Sequence, residues 1–133
     1  QATLEHISCP SKVINEIYRI LRKNGYVYCT IPFLQGFHAD PYDFQRYTLN
    51  GGEILLERFL IVKKGVSSGP FSSIAWIIRD LLSFGSKGTL LYNSSRALSS
   101  ILIYPISLID YFFPRSNSYN RNASEYFYLA KKR

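Results

Sequence analysis

The chain has 133 residues, of which 47% are hydrophobic, and carries a formal net charge of +7. This length suits a single domain with a real core, and the hydrophobic content excludes general disorder. The two cysteines, Cys9 and Cys29, suit neither a disulfide framework nor a zinc site, and the moderate charge does not distinguish nucleic acid from anionic lipid or a phosphorylated substrate.

A helix is predicted from Pro10 to Lys23, because the apolar residues of this segment share one helical stripe and the charged residues occupy the other side. Pro10 suits a first helical turn, and Asn24 followed by Gly25 suits a left-handed cap at the end. The apolar stripe consists of Val13, Ile14, Ile17, Ile20 and Leu21.

The next segment, Tyr26–Pro32, is predicted to be a central parallel strand. It is apolar on both alternating faces, so we expect helices to cover both sides and Tyr26 and Tyr28 to lie in the core. A helix, a glycine turn and a buried strand form the second half of a βαβ unit. We therefore expect the first strand of that unit to precede Gln1 and the chain to be part of a longer protein.

The segment after this strand, FLQGFHADPYDFQRYT (33–48), gathers polar and aromatic residues where Gly36 and Pro41 oppose regular structure. Ligands of open α/β sheets collect beyond the carboxyl ends of the strands. The position of this loop therefore predicts one wall of a binding pocket.

Further along the chain, Thr48 is predicted to cap a helix over 49–58. The segments Phe59–Val66 and Glu125–Lys131 are rich in β-branched and aromatic residues, and we expect them to form an antiparallel pair of strands.

Two stretches of the chain carry a resemblance to a known family. The segment LEHISCPSKVINEIYRILRKNGYVYCTIPF (4–33) resembles the C-terminal half of a class I S-adenosylmethionine-dependent methyltransferase of the type 11 group. The matching positions are Leu4-Glu5-His6, Pro10, Glu16-Ile17, Arg19, Leu21, Gly25 and Ile31-Pro32. The loop that follows resembles a signature of one subgroup, at His38, Pro41, Asp43, Phe44, Arg46, Tyr47 and Thr48.

The resemblance implies an α/β, Rossmann-like methyltransferase fold. Residues 1–133 would be the C-terminal part of a single domain, from strands four and five to strand seven, with an apolar helical insertion over 71–113. S-adenosylmethionine is the implied cofactor, but its glycine-rich loop and ribose-binding acid would precede Gln1. We therefore expect the chain alone to be inactive and to bind the cofactor poorly. The implied cofactor contacts in this chain are Thr3, Leu4 and His6.

Methyl transfer is the implied activity, and we expect the acceptor to be a hydroxyl of a small molecule or saccharide. A hydroxyl must lose its proton, and histidine titrates near neutrality, so His38 is the candidate catalytic base. The candidate substrate-binding residues are Asp43, Arg46, Tyr47, Phe37 and Asp40, with Phe33 as a further wall of the site.

Structural roles compete with these assignments. Asp43 and Arg46 are three residues apart and could simply pair, and His38 could brace the loop. Glu5 and His6 are interpreted as structural, and without further histidines they predict no metal site. A non-catalytic binding or membrane-associated module that retains only this half of the fold is the alternative from another class. Nucleic acid is not favoured as a partner, because no aromatic-basic RNA-binding motif is evident.

The insertion over 71–113 is predicted to be two apolar helices, the second bent at Pro105. Its final run, 98–113, is shorter than the roughly 20 residues that a spanning helix needs, and Pro105 and Asp110 interrupt it. Three roles remain open: a lid over the active site, a homodimer surface, and attachment to a membrane surface. We favour a lid or interface helix in a cytoplasmic protein, with peripheral membrane contact as the minority alternative.

Overall fold

The computed structural model describes residues 3–38, 41–82, 90–113 and 117–133. Within these ranges the chain is an α/β protein with a small antiparallel sheet. The helices are α1 (Pro10–Ile20), α2 (Leu49–Leu55), α3 (Pro70–Leu82), α4 (Leu90–Leu108) and α5 (Asn117–Asn120), with 3₁₀ turns at Leu4–His6 and Ile109–Tyr111. The strands are β1 (Tyr26–Pro32), β2 (Phe59–Ser68) and β3 (Glu125–Lys132).

The chain divides into two compact units. The first consists of Gln1–Phe33, Phe37–Ser67 and Glu125–Arg133, and the second of Leu34–Gly36 and Ser68–Ser124. The second unit therefore contains the predicted insertion, 71–113.

The strands lie in the order β1-β3-β2, so β3 is the central strand. β1 runs antiparallel to β3, with Tyr26 opposite Lys131 and Pro32 opposite Glu125. The predicted pairing of the second and third strands is confirmed. The prediction that Tyr26–Pro32 is a central parallel strand is wrong for the described residues, because β1 lies at the edge of their sheet and its partner there is antiparallel.

The burial of β1 also differs from the prediction. Tyr26 and Tyr28 are 56% and 57% exposed, so the expectation that they belong to the core is wrong. Instead, the ring of Tyr28 stacks on that of Phe127 across the strands, with 6.1 Å between the ring centroids. Aromatic pairs of this kind stabilise a sheet on an exposed face, so an apolar pattern alone overestimates burial. Only the carboxyl end of the strand, Thr30 to Pro32, is buried.

α1 is shorter than the predicted helix over 10–23. It ends at Ile20, and Leu21 has an extended backbone with φ −67° and ψ 135°. Asn24 has a φ of 62°, so the left-handed residue lies in the turn that leads into β1. A Cβ atom at Gly25 would lie 2.8 Å from the carbonyl oxygen of Arg22, which explains why the turn needs a glycine.

The core of the first unit lies on one face of the central strand. Its buried side chains on β3 are Tyr126, Tyr128 and Ala130. The hydroxyl of Tyr128 donates to the carbonyl oxygen of Leu49 at 2.8 Å, which fixes α2 against the sheet. The Thr48 hydroxyl accepts from the N–H of Gly51 at 3.1 Å, which confirms the predicted cap, although α2 ends at Leu55.

In the second unit, Asp110 caps the N-terminus of α3 from a distant part of the chain. Its carboxylate accepts from the backbone N–H groups of Gly69, Phe71 and Ser72 at 3.1, 3.1 and 2.9 Å, and from the hydroxyls of Ser72 and Tyr119. Burial alone would raise the pKa of Asp110, but the hydrogen bonds from Ser72 and Tyr119 outweigh it and lower the pKa. A negative charge at a helix N-terminus is stabilising, so Asp110 fixes where α3 begins.

Many apolar side chains of the second unit are exposed to solvent. The most exposed are Leu90, Leu91, Ile101, Tyr111 and Phe112. α4 remains helical through Pro105. Among the described residues, no helix combines the length and the apolar character needed to cross a bilayer.

Replacing Asp110 should destabilise the second unit. Asp110→Ala removes the acceptor for three backbone N–H groups, so we expect the free energy of unfolding to fall by about 1–3 kcal/mol, measured by chemical denaturation. Glu57→Ala, at an exposed acid, is the control and should change it by less than about 0.5 kcal/mol. Equal losses in the two variants would contradict the capping role.

Candidate functional site

The loop that follows β1 folds back onto two earlier segments of the first unit. The N–H of Tyr47 donates to the carbonyl oxygen of Pro32, the last residue of β1, at 3.3 Å. The N–H of Phe44 donates to the carbonyl oxygen of Glu5 in the first 3₁₀ turn at 2.8 Å. These two bonds hold the loop beyond the carboxyl end of the strand, where the sequence predicted it.

The side chain of Gln45 joins the loop to the 3₁₀ turn. Its amide nitrogen donates to the carbonyl oxygens of Leu4 and Ile7 at 3.3 and 2.7 Å. Its amide oxygen accepts from the Tyr47 hydroxyl at 3.0 Å. Gln45 thus satisfies backbone carbonyls at the turn while it orients a ring of the loop.

Asp43 and Arg46 form a hydrogen-bonded ion pair inside the loop, as their spacing indicated. The Asp43 side chain is 2% exposed and contacts both Nη1 and Nη2 of Arg46, the latter at 2.6 Å from Oδ2. Oδ2 also accepts from the backbone N–H of His38 at 2.9 Å. Both carboxylate oxygens are therefore engaged within the loop, which supports a bracing role for Asp43.

The ring of His38 is oriented by the same pair. Nη2 of Arg46 lies 3.2 Å from Nδ1 of His38. A guanidinium group can only donate, so Nδ1 accepts and the neutral ring carries its proton on Nε2. Nε2 faces the Oε1 atom of Glu5 at 3.8 Å.

His6 approaches the same carboxylate from the 3₁₀ turn. Its Nδ1 lies 2.6 Å from the carbonyl oxygen of Tyr42. A carbonyl can only accept, so Nδ1 carries the proton and Nε2 keeps its lone pair when the ring is neutral. This Nε2 atom is 3.6 Å from Oε1 of Glu5, and the His6 and His38 rings meet edge to face with centroids 5.2 Å apart.

Glu5 is the centre of this cluster and is fully buried, with 0% exposure. Neither of its carboxylate oxygens has a hydrogen-bond partner among the described residues. An isolated buried carboxylate is costly, so a proton, an imidazolium or another cation is required beside it. The cluster of Glu5, His6 and His38 therefore needs a positive charge or a proton beside the Glu5 carboxylate.

The remaining residues suggested by the sequence differ in their exposure to solvent. Phe37 is 68% exposed and Tyr47 is half-buried. Of the suggested cofactor contacts, Leu4 is buried and Thr3 is exposed. Asp40 lies outside the described residues.

Sequence reasoning missed two residues that organise the site. Glu5 was interpreted as structural and was not expected to approach His38, although the chain has only two histidines and the structure brings both of them to it. Gln45 carried no signal beyond its position inside the loop.

The chain matches no known protein family and no curated protein. A solved structure, that of the [4+2]-cyclase SpnF, is similar to it with a TM-score of 0.53 at 15% sequence identity. The similarity covers 98% of this chain and 47% of that one, so the chain spans about half the length of this neighbour. At this identity the likeness is one of fold alone.

The buried ion pair predicts a specific sensitivity to acid. Hydrogen bonds from Arg46 hold the pKa of Asp43 at about 2, against the effect of burial and with help from the His38 N–H. Because this pKa is depressed, the stabilisation is complete above the ordinary value of about 4 and is lost as the pH falls towards 2. Asp43→Asn should lower the melting temperature at pH 7. The variant should also lose less melting temperature than the wild type when the pH falls from about 4 to about 2.

Glu16 and Arg19 provide the matched control for that experiment. They form an acid–arginine pair with the same spacing, but their side chains are 58% and 70% exposed. Exposed pairs contribute little, so Glu16→Gln should leave the melting temperature and its pH dependence nearly unchanged. An equal effect of both substitutions would show that burial of the Asp43 pair is unimportant.

Proposed function

We propose that this chain forms the acceptor side of an S-adenosylmethionine-dependent methyltransferase that methylates a hydroxyl of a small molecule or sugar. The main support is the convergence of two imidazoles on one buried carboxylate, under the loop held at the carboxyl end of β1. In the open, parallel sheet that the family resemblance implies, ligands collect at such strand ends. The likeness of fold to SpnF, a [4+2]-cyclase, is compatible with an enzyme.

The described residues fit the acceptor part of such a site better than the cofactor part. S-adenosylmethionine would supply an electrophilic methyl group on a sulfonium. Thr3, Leu4 and His6 are the residues of this chain proposed to contact it. The glycine-rich loop and ribose-binding acid that the resemblance calls for are not among the described residues, so we assign the chain to the acceptor.

The base for a hydroxyl acceptor is proposed to be one of the two imidazoles. The lone pair of His38 Nδ1 faces Arg46, and its Nε2 carries a proton in the neutral ring. The lone pair of His6 is on Nε2, and the ring is one quarter exposed. His6 therefore fits the base better than the sequence-based candidate His38, and Glu5 at 3.6 Å would stabilise the imidazolium that forms.

The loop is proposed to form the wall against which the acceptor lies. The exposed ring of Phe37 and the half-buried ring of Tyr47 offer apolar surface. Arg46 would attract a carboxylate or phosphate of the acceptor, while its bonds to Asp43 keep the guanidinium in a fixed orientation.

A membrane-associated or binding module without catalysis is the second candidate. The observation that favours it is the set of exposed apolar side chains on α3, on α4 and around the second 3₁₀ turn. Tyr111, in that turn, is 84% exposed, and Phe112, directly after it, is 83% exposed. Exposed aromatic and aliphatic groups of this kind suit a lipid surface. Under this alternative, the full-length protein would sediment with vesicles but would not bind S-adenosylmethionine.

The proposal makes cofactor binding the first measurement. The full-length protein should bind S-adenosylmethionine in a calorimetric titration and transfer a labelled methyl group to hydroxyl acceptors from a panel of sugars and small alcohols. Binding to vesicles without any affinity for the cofactor would favour the module instead.

Substitution of each histidine then identifies the base. We expect His6→Ala to lower turnover by roughly 100-fold or more with a much smaller loss of cofactor affinity, because His6 is the proposed base but only one of three proposed cofactor contacts. His38→Ala should mainly lower the melting temperature and weaken acceptor binding, because His38 braces the loop. Glu16→Gln, at an exposed side chain of α1, is the control and should leave turnover and melting temperature nearly unchanged. A loss of turnover in His38→Ala alone would return the role of base to His38.

A further inference from the structure

The Glu5 carboxylate is buried without a hydrogen-bond donor among the described residues. It is fully buried, and its two oxygens accept no hydrogen bond from the described residues. Leaving a buried acceptor without a partner costs about 1–3 kcal/mol, and more when the group is charged. A structure that keeps such a group usually supplies a counterion.

One ring nitrogen of His6 and one of His38 lie beside the Glu5 carboxylate, as metal ligands would. Nε2 of His6 and Nε2 of His38 lie 3.6 and 3.8 Å from the same Glu5 oxygen. One ligand atom from each of the three residues lies within 4.8 Å of the other two. Ligands about 2.1 Å from a tetrahedral zinc ion are roughly 3.4 Å apart, so the cluster needs only small side-chain movements to hold an ion.

The surroundings of His6 resemble those of a metal-bound imidazole. Its Nδ1 donates to the carbonyl oxygen of Tyr42 at 2.6 Å. Metal-binding histidines commonly donate their second ring N–H to a carbonyl or carboxylate, which fixes the tautomer and directs the other nitrogen to the metal. The hydrogen bond therefore holds Nε2 in the form that binds a cation.

His38 has a carboxylate in the equivalent position. Its Nδ1 lies 3.8 Å from Oδ2 of Asp43. If Nε2 binds a metal ion, the ring proton moves to Nδ1. This N–H can then donate a hydrogen bond to Asp43, and the distance between Nδ1 and Nη2 of Arg46 must increase. Arg46 keeps its other bonds, to Asp43 and to the carbonyl oxygen of Gln45 at 2.9 Å.

We propose that Glu5, His6 and His38 bind one divalent transition-metal ion, with zinc as the best match to two imidazoles and a carboxylate. Three protein ligands leave a fourth position, and because both rings are 25% exposed this position opens towards solvent. The three ligands and their supporting groups all belong to the first unit. The proposal does not depend on methyl transfer, since a metal ion can bind these ligands without cofactor or acceptor.

The test is a zinc titration of the full-length protein after treatment with a chelator, in the absence of cofactor and acceptor. We expect one ion per chain, and cobalt in its place should give the visible absorption of a four-coordinate site. Glu5→Gln and His38→Ala should each weaken binding by about 100-fold or more, and Asp43→Asn by about 10-fold to 100-fold. Circular dichroism establishes that each variant is folded.

Two controls separate this site from others on the chain. The double variant Cys9→Ser/Cys29→Ser and the surface variant Glu16→Gln should retain full zinc affinity. Loss of binding in the cysteine variant, or unchanged binding in Glu5→Gln, would overturn the proposal. So would wild-type protein that binds no zinc. Zinc should raise the melting temperature of the wild type but not that of Glu5→Gln.

Discussion

The buried pair of Asp43 and Arg46 is the interaction on which the site depends. The loop over 33–48 contains a proline and a glycine, and its described residues make few backbone hydrogen bonds with one another, so side chains fix the path of this described part. Asp43 does so by accepting from the backbone of His38 and from both ends of the Arg46 guanidinium. The same guanidinium then orients the His38 ring. Buried ion pairs often contribute little net stability. This pair links the side chain of Arg46, through Asp43, to the backbone of His38.

Loop and 3₁₀ turn together place Glu5 between two imidazoles. Phe44 and Gln45 bond to the backbone of the turn, and this brings Tyr42 to His6. The proposed base and one proposed zinc ligand are the same atom, Nε2 of His6. A bound zinc ion would occupy the lone pair that a base needs, so the two proposals describe mutually exclusive states of the cluster.

The second unit combines hydrogen bonds to one carboxylate with exposed apolar helices. Several of its hydrogen bonds converge on Asp110, which joins the start of α3 to the 3₁₀ turn after α4. Much of its apolar surface remains exposed, including Leu90 and Phe112. This unit thus combines a well-satisfied polar anchor with helices that offer apolar area to a ligand, a membrane or another chain.

Features that arise within one or two turns of chain could be predicted from the sequence. α1 and α2, the Thr48 cap and the pairing of Asp43 with Arg46 all follow from spacings of three or four residues, because side chains at these separations meet in local structure. The loop was also located correctly, since the strand before it ends at Pro32.

Which distant groups meet depends on the tertiary packing of the chain. Gln45 reaches Leu4 across 41 residues, His6 reaches Tyr42 across 36, and Asp110 reaches Gly69 across 41. The edge position of β1 has the same origin, because strand order depends on pairing with β3 near the end of the chain. Periodicity reports the environment of a segment but not the identity of its neighbours. The convergence of Glu5, His6 and His38 is therefore a property of the packed chain, since no local pattern specifies which side chains a loop brings to a buried carboxylate.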